Sequence, residues 1–187
     1  MRVVVVGCEY TGVTTLIEGI YEWGNARGIH HHLDDHFTIP DAFHLSREEQ
    51  VAMLEMLPAI KERFQRFQIV YHVRLLHLFE HILMGGFHIE EMVYGPKYYY
   101  PGINIDVREY EPEMPDDTIL VHLTATADVV RARMQSAPHP HQLVPSEDVT
   151  EILERFEDEV RHSWIKHKIK IDSSHLTPEK LLSAFLE

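Results

Sequence analysis

Residues 3–16 of the chain read VVVVGCEYTGVTTL. The four valines form a continuous apolar, β-branched run, which is the pattern of a strand buried on both faces of a sheet. Gly7 and Gly12 follow, and glycine permits backbone angles that other residues avoid, so the chain between them can turn tightly. A helical pattern begins at Thr14. The segment therefore predicts a buried strand, a tight loop and a helix in immediate succession.

This loop matches the phosphate-binding pattern G-x-x-x-x-G-K-[ST] except that Val13 stands where the pattern has lysine. The backbone N–H groups of such a loop point inward around a phosphate, and the start of the helix favours an anion. Thr14 stands where the pattern has its magnesium ligand. We therefore expect nucleotide phosphates here, with an ordinary strand–turn–helix corner as the alternative. The residues expected to bind the nucleotide are Gly7, Glu9, Tyr10, Thr11, Gly12, Val13, Thr14 and Thr15.

The composition is that of a globular protein with an acidic surface. The chain has 187 residues, 44% of them hydrophobic, and a formal net charge of −13. This length predicts one domain over residues 1–187, and no apolar run approaches the length of a membrane span. The negative charge disfavours binding along a nucleic-acid backbone. Cys8 is the only cysteine and no signal peptide is evident, so we expect a cytoplasmic protein without nucleic-acid or membrane partners.

Strands and helices are predicted to alternate along the chain. Ser46 and Glu49 form a capping box that starts a helix. The alternation predicts an α/β fold with a five-stranded, mostly parallel sheet and helices on both faces. Ligands are expected beyond the carboxyl ends of the strands. After the valine strand, a helix is predicted over about 14–23 and strands over 29–33, 87–93, 118–123 and 168–171.

The longest helix is predicted over about 59–84, beginning after Pro58 and ending at Gly85-Gly86. Its apolar positions recur every three or four residues, so we expect them to be buried against the rest of the protein. The following strand would carry Glu90 and Glu91 towards its end. The apolar positions are Phe64, Phe67, Val70, Val73, Leu76, Phe79 and Leu83.

The order of these motifs resembles the nucleoside and nucleotide kinases of the P-loop fold, most of all the thymidylate-kinase-like group. The resemblance covers nearly the whole chain and implies a three-layer P-loop fold, a lid over about 134–147, and ATP and Mg²⁺ as cofactors. Val13 departs from the family pattern, and Glu90-Glu91 stands where an acid–arginine pair is usual. The resemblance rests on the loop at 7–15, Asp34-Asp35, the long helix with Arg74, Glu90-Glu91 before an aromatic stretch, and Arg131 with Arg133 before a polar loop.

The resemblance implies roles for three acidic residues. Asp34 and Asp35 fall where the family has contacts to substrate or to magnesium-bound water. Asp34 is expected to bind the substrate, and Asp35 to orient or deprotonate the acceptor hydroxyl. Glu90 is expected to act in catalysis by binding magnesium or its waters. The alternatives are a polar strand-to-loop junction for the aspartates and an exposed loop acid for Glu90.

Positive charge for a transferred phosphate has to come from a residue other than Val13. One preorganised donor of this kind is typically worth about 10²–10³ in rate. Arg131 and Arg133 enter the lid and are expected to be catalytic phosphate contacts, and Lys97 is a further candidate. Arg74 lies among apolar helix neighbours, where a charge needs a partner. A substrate phosphate or a structural salt bridge would satisfy it.

Two further groups have functional and structural interpretations. Tyr98, in the aromatic stretch, is expected to stack on a substrate base or sugar, with core or lid packing as the alternative. Histidines 30–32 with His36 offer imidazole ligands for a metal. Strand geometry places only His30 and His32 on one face, and no cysteine cluster accompanies them.

These features favour a phosphotransferase that moves the γ-phosphate of ATP, with Mg²⁺, to a small-molecule acceptor, expected to be a nucleoside or nucleotide. The missing lysine favours an alternative, a nucleotide-binding module that has lost catalysis and serves regulation or partner binding. A third alternative is a relic of the fold whose loop binds no nucleotide. The resemblance further implies a homodimer formed through the long helix.

Overall fold

The computed structural model describes residues 1–35, 45–139 and 142–187. Its strands are β1 (Arg2–Val6), β2 (His32–Asp35), β3 (Ile82–Gly85), β4 (Thr118–Thr124) and β5 (His167–Asp172). They form a five-stranded sheet in the order β2-β3-β1-β4-β5, and every pairing is parallel. The predicted α/β class and five-stranded parallel sheet are confirmed.

Helices cover both faces of this sheet. They are α1 (Val13–Asn25), α2 (Arg47–Leu54), α3 (Pro58–Leu78), α4 (Phe87–Tyr94), α5 (Ala127–Ser136), α6 (Val149–His162) and α7 (Pro178–Leu186). α1 and α7 pack on one face, whereas α3, α4, α5 and α6 pack on the other. A π-helical turn, Gly95–Tyr99, follows α4, and a 3₁₀ turn, Arg108–Glu113, precedes β4.

β1 is the central strand because its side chains are apolar on both faces. Val3 and Val5 belong to the core under α1 and α7, while Val4 and Val6 belong to the core on the opposite face. All four are fully buried. A side chain of this size contributes roughly 1.5–3 kcal/mol when it is fully buried. The valine run therefore anchors the strand that carries the phosphate loop.

The third strand lies earlier in the chain than predicted. The segment predicted as a strand, 87–93, belongs to helix α4, and the strand is Ile82–Gly85, which the periodicity assigns to the end of the long helix. A short apolar run fits a buried strand and a buried helix equally well. Tertiary pairing decides between them, because β3 lies between β1 and β2. Gly85-Gly86 therefore ends a strand and not a helix.

α3 is shorter than predicted, and only part of its predicted apolar face is buried. It ends at Leu78, where Phe79 takes an extended conformation. Of the positions predicted to be buried, Phe64, Phe67 and Val70 are exposed. Val73 and Leu76 are buried as predicted, and the buried side of the helix also includes four polar residues: Glu62, Gln65, Gln68 and His72.

The remaining elements are close to their predicted bounds. α1 begins at Val13 and continues to Asn25, and β2 extends to Asp35, so that both aspartates are strand residues. The Ser46–Glu49 capping box is confirmed at the start of α2. Over residues 1–35, 45–139 and 142–187, no helix combines the length and apolarity needed to cross a membrane.

Candidate functional site

A cavity of about 740 Å³ opens at the carboxyl edge of the sheet, where the phosphate loop joins β1 to α1. Its walls come from the loop, β2, β3 and α4 on one side, and from α5 and the segment after β5 on the other. Small-ligand sites usually measure about 300–1,000 Å³. The cavity is lined by each residue predicted to bind the nucleotide, namely Gly7, Glu9, Tyr10, Thr11, Gly12, Val13, Thr14 and Thr15.

The loop is held in a tight turn. Tyr10 and Gly12 have positive φ angles of 67° and 100°, a region that is strained for a side chain such as tyrosine. The buried Thr11 donates two hydrogen bonds to the carbonyl oxygen of Cys8, from its N–H (3.1 Å) and from its hydroxyl (2.7 Å). A Cβ at Gly7 would lie 2.5 Å from the carbonyl oxygen of Leu123. Glycine is therefore required at position 7, where the loop leaves β1 beside the backbone of β4.

Val13 and Thr14, at the start of α1, both line the cavity, and Val13 also contacts the core. Val13 is half-buried and packs against the core under α1 and α7, so its apolar side chain is accommodated in the fold. Thr14 is exposed and lines the cavity. Its hydroxyl is thus available to a ligand, as the loop pattern predicts, while position 13 supplies no charge.

Glu9 connects the phosphate loop to the predicted lid. Its carboxylate accepts hydrogen bonds from the N–H groups of Leu143 (3.0 Å) and Val144 (2.8 Å). Burial raises the pKa of this carboxyl above its usual range. The Glu9 N–H donates to the Tyr94 hydroxyl at 3.0 Å, so this backbone group already has a protein acceptor. No motif in the sequence signals the contacts of Glu9 with Leu143 and Val144, which join residues 134 and 135 positions apart.

Tyr10 makes the second connection to the predicted lid, of which residues 140 and 141 lie outside the described ranges. Its ring stacks on His139, with centroids 4.1 Å apart. Its hydroxyl accepts from the His139 N–H (2.8 Å) and donates to Gln142 Oε1 (3.1 Å). Glu9 and Tyr10 of the phosphate loop therefore contact the predicted lid both before residue 140 and after residue 141.

Asp34 lines the cavity from β2. One carboxylate oxygen lies 3.3 Å from Nε2 of the buried His72, and the other lies 3.5 Å from Nε2 of His32. His72 reaches Asp34 from α3, so two elements fix the position of this carboxylate. Asp35 is its neighbour in β2 and pairs with Gly85 along the backbone. The side chain of Asp35 lies outside the described part of the structure, so its predicted catalytic role stays a prediction.

Glu90 also lines the cavity, but from the first turn of α4 and not from a strand end. A Cβ at Gly86 would overlap the Glu90 carboxylate. Gly86 and Phe87 both have positive φ angles, 71° and 66°, and the full burial of Phe87 holds this strained turn in place. Glu91 points elsewhere, because it is buried and accepts a hydrogen bond from the Tyr100 hydroxyl.

This placement changes which residues follow the third strand. According to the resemblance in the order of motifs, Glu90-Glu91 takes the place of the acid–arginine pair of P-loop kinases. Because β3 ends at Gly85, the residues directly after the strand are Gly86 and Phe87. Neither the acid nor the arginine is therefore present at that point, and the Glu90 carboxylate fills the space beside Gly86.

Arg133 is the one arginine or lysine among the described residues that line the cavity. It extends from α5 and donates to the carbonyl oxygen of Tyr10 (2.8 Å), the carbonyl oxygen of Ser173 (2.7 Å) and the Ser173 hydroxyl (3.2 Å). The guanidinium thus joins the phosphate loop to the segment after β5. Arg133 therefore lies at the cavity, and its contact with a phosphate stays a prediction.

Arg131 lies outside the cavity lining, although it is only two residues away on α5. Its guanidinium donates to the Ser146 carbonyl oxygen (3.0 Å) and to the Thr150 hydroxyl (2.9 Å). These contacts join α5 to the start of α6. The structure therefore separates the two arginines that the sequence pairs.

Three other predicted residues also lie away from the cavity lining. Arg74 is exposed on α3, so it does not have the buried environment that the sequence suggests. The Tyr98 hydroxyl donates to Asp148 at 2.8 Å, and the Lys97 ammonium pairs with Asp148 (3.2 Å) and Glu151 (2.6 Å). Lys97 and Tyr98 thus connect the π-helical turn to α6.

Cys8 is a buried component of the loop. Burial raises the pKa of its thiol to about 12, so the thiolate is scarce at neutral pH. This state does not suit a nucleophile.

The donor set of the cavity suits Mg²⁺. Thr14, Asp34 and Glu90 contribute hydroxyl and carboxylate oxygens to one space, and Mg²⁺ is usually held by one or two carboxylates together with substrate phosphates. Within the described residues, no group of three or more His, Cys, Asp and Glu side chains could hold a metal by itself. The ligand set would thus be completed by the phosphates of a nucleotide.

This sheet order, with a phosphate loop between β1 and α1, is the fold of the P-loop kinases. No family model and no curated protein matches the sequence. The structural likeness extends over the whole chain. The YorR protein of Bacillus subtilis, solved in complex with phosphorylated GDP, has a TM-score of 0.65 at 13% identity, with 99% of this chain and 94% of that chain covered.

Two further solved structures have the same fold. The deoxyadenosine kinase of M. mycoides with bound dATP has a TM-score of 0.64 at 14% identity, covering 100% of this chain and 97% of that chain. The shikimate kinase of Bacteroides thetaiotaomicron has a TM-score of 0.60 at 16% identity, covering 100% and 94%. At these identities the likeness establishes the fold, and the predicted resemblance to P-loop kinases is confirmed at that level.

Proposed function

We propose that this protein is an ATP- and magnesium-dependent phosphotransferase that acts on a small-molecule acceptor. The observation that carries the proposal is one cavity that contains the phosphate loop, Thr14, the carboxylates of Asp34 and Glu90, and Arg133. In phosphoryl transfer a protein mainly positions the reactants and stabilises charge. Each of these groups serves one of those two tasks.

The phosphate loop would bind the nucleotide through its backbone N–H groups and the start of α1. Thr14 and Glu90 are the residues that would hold Mg²⁺ against the phosphates. When bound, the ion neutralises part of the charge on the β- and γ-phosphates. Arg133 adds the positive charge that Val13 lacks, from the opposite side of the loop.

The charge of the cavity makes the magnesium requirement strict. Four carboxylates line it, those of Glu9, Glu18, Asp34 and Glu90, against a single guanidinium. Free ATP would therefore be repelled, whereas the magnesium complex would bind.

The acceptor would approach from the side of β2 and α4. Its oxygen forms a bond to the γ-phosphorus while the bond from that phosphorus to the bridging oxygen breaks, and ADP leaves with that oxygen. Asp34, held by His72 at 3.3 Å, would orient the acceptor hydroxyl and take its proton. Asp35 is the second residue proposed for this role.

A nucleoside or nucleotide is the acceptor class that we propose. Support comes from the thymidylate-kinase-like order of motifs and from the nucleotide ligands named for two of the similar structures, phosphorylated GDP and dATP. A hydroxylated acid is the comparison class, because a shikimate kinase shares the fold.

Thermal shift with ATP, with and without Mg²⁺, tests the binding step. A ligand at about 100 times its Kd stabilises by about 2.7 kcal/mol, which for a chain of this size raises Tm by roughly 5–10 °C. We expect this rise only with Mg²⁺, and we expect Thr14→Val to abolish it. No rise with either form of ATP would contradict the proposal.

Transfer is tested with γ-labelled ATP and a panel of nucleosides, nucleoside monophosphates and hydroxylated acids. Label on a nucleoside or nucleotide supports the full proposal, and label on a hydroxylated acid supports the transferase but changes the acceptor. Arg131→Met is the matched control that should retain transfer.

A nucleotide-binding module without transfer is the second candidate. Val13 and Gly85-Gly86 favour it, because the charged groups usual in P-loop kinases are missing at both places. Magnesium-dependent ATP binding without transfer to any acceptor of the panel would favour this candidate over the enzyme.

A further inference from the structure

The charges of the cavity are distributed unevenly between its walls. Arg133 lies on the wall formed by α5 and the segment after β5. The opposite wall, formed by β2, β3 and α4, faces the proposed acceptor and contains the carboxylates of Asp34 and Glu90. No arginine or lysine of the described residues belongs to this second wall. We call it the acceptor wall, and its members are Leu33, Asp34, Gly85, Gly86, Glu90 and Tyr94.

The other members of the acceptor wall do not balance these two carboxylates. Leu33 is apolar, and Gly85 and Gly86 offer only backbone groups. The Tyr94 hydroxyl accepts a hydrogen bond from the N–H of Glu9 at 3.0 Å, and burial keeps the pKa of this phenol well above its ordinary value. Tyr94 is therefore neutral at physiological pH, and the charge of the wall is that of its carboxylates.

Two histidines lie beside Asp34, and both are outside the cavity lining that the described residues form. Nε2 of His72 is 3.3 Å from one carboxylate oxygen, and Nε2 of His32 is 3.5 Å from the other. His72 is only 1% exposed, so a ligand in the cavity meets the carboxylate and not this ring. The two rings therefore position Asp34 without placing a cation in the acceptor wall.

An anionic acceptor needs a cation, and the candidates that the sequence offers lie elsewhere. Arg74 is exposed on α3, outside the cavity lining. Arg131 joins α5 to the start of α6, and Lys97 pairs with two carboxylates at the start of α6. The stretches that the structure does not describe, 36–44 and 140–141, read HFTIPDAFH and PH and contain no arginine or lysine. They therefore add no such cation to the acceptor wall.

The proposed role of Asp34 as a base also fits an uncharged acceptor. A hydroxyl group has to lose its proton when its oxygen forms the bond to the γ-phosphorus, and a positioned carboxylate can take that proton. A phosphate monoester loses its second proton with a pKa of about 6, so its oxygen is already ionised at neutral pH. A base beside the acceptor is therefore useful to a hydroxyl group and not to a phosphate.

We propose that the phosphate acceptor carries no negative charge, and that Asp34 and Glu90 exclude acceptors that bear a phosphate or a carboxylate. The inference rests on the proposed phosphotransferase and narrows its acceptor to nucleosides and other uncharged hydroxyl compounds. The two carboxylates extend from different elements, β2 and α4, so an anion in this part of the cavity meets like charge from both. Such like-charge contacts suppress the wrong partner.

Matched pairs that differ in charge test the inference: each nucleoside against its own monophosphate, and shikimate against its methyl ester. Calorimetry measures their binding to the natural protein with Mg²⁺ and a non-hydrolysable ATP analogue, which occupies the phosphate loop. We expect an uncharged member to bind roughly 100-fold more tightly than its anionic partner. Equal or tighter binding of the anionic members, or binding of no uncharged member, would overturn the inference.

Glu90→Gln tests the source of this preference. The substitution removes one negative charge from the acceptor wall, so the ratio of the two affinities should fall by about tenfold. The ratio is the useful quantity, because a loss of magnesium binding affects both members of a pair alike. Glu18→Gln is the matched control, since Glu18 lines the cavity from α1, away from the acceptor wall, and it should keep the natural ratio. An unchanged ratio in Glu90→Gln, or an equal fall in both variants, would overturn the inference.

Transfer from γ-labelled ATP separates this inference from the proposed function. If an uncharged compound binds with the expected preference but receives no label, the charge preference holds and the phosphotransferase fails. If a monophosphate or shikimate receives label more efficiently than its uncharged partner, the phosphotransferase holds and the charge preference fails.

Discussion

Arg133 and Arg131 form a matched pair for testing the site, because they lie two residues apart on α5 and only Arg133 faces the cavity. We consider Arg133→Met and Arg131→Met, which remove the guanidinium and retain a long apolar side chain. Arg133→Met deletes three hydrogen bonds, to the Tyr10 carbonyl oxygen and to the carbonyl and hydroxyl groups of Ser173.

The expected loss follows from these contacts. A hydrogen bond to a charged group contributes about 1.5–3 kcal/mol. The two shorter bonds are only partly buried, and the freed carbonyl groups can regain some hydration. We therefore expect Arg133→Met to lower the free energy of unfolding by about 2–4 kcal/mol, a fall in Tm of roughly 5–15 °C for a chain of this size. The contacts of Arg131 are exposed, so its loss should be below about 1 kcal/mol.

Urea denaturation followed by circular dichroism gives the two free energies, and thermal shift gives the response to Mg·ATP. Arg133→Met should lose most of its Mg·ATP response, whereas Arg131→Met should retain it. Equal losses of stability in the two variants, together with an equal response to Mg·ATP, would refute the assignment of Arg133 as the cation of the site.

Three further variants or reactions test the loop itself. Val13→Lys should tighten Mg·ATP binding by about tenfold or more in calorimetry, because a pair of opposite charges about 4 Å apart is worth about 4 kcal/mol at an effective dielectric constant of 20; unchanged affinity would mean that Arg133 already compensates. Burial raises the pKa of the Glu9 carboxyl, so the folded state binds the proton of this carboxyl more tightly than the unfolded state does. The resulting stabilisation is present below the ordinary pKa of 4.5 and is lost as pH rises through the raised pKa of the folded state. Urea midpoints of the natural protein and Glu9→Gln should therefore diverge from pH 4.5 upwards in favour of the variant, and parallel curves would contradict this. The Cys8 thiol, with its pKa of about 12, should resist a thiol reagent at pH 8 in the folded protein and react in urea; equal rates would show that the loop opens readily.

Local sequence was sufficient for the central part of the fold. The valine run could be assigned to a buried strand because a strand between two helical layers needs apolar residues on both faces. The positions of Gly7, Gly12 and Thr14 followed from the pattern of the loop, whose conformation depends on residues close in sequence. The Ser46–Glu49 capping box was predictable for the same reason, since both of its hydrogen bonds span three residues.

Contacts between distant residues could not be derived in this way. Ile82–Gly85 is a strand because it lies between β1 and β2, and periodicity in so short a run does not distinguish it from a helix. The same limit applies to α3, where apolar residues recur on more than one side of the helix and spacing alone does not tell which of them are buried. Val73 and Leu76 are buried, whereas Phe64, Phe67 and Val70 are exposed, because burial depends on the elements that pack against each side, and these are distant in the sequence.

In the candidate site, too, local sequence predicted some residues and only tertiary contacts placed the others. The sequence identified the residues of the phosphate loop, because their function depends on backbone geometry within ten positions. Only the tertiary structure separated Arg133 from Arg131, placed Glu90 beside Gly86, and joined Glu9 to Leu143 and Val144. These outcomes depend on the direction in which each helix and loop leaves the sheet, and that direction is set by packing between elements far apart in the chain.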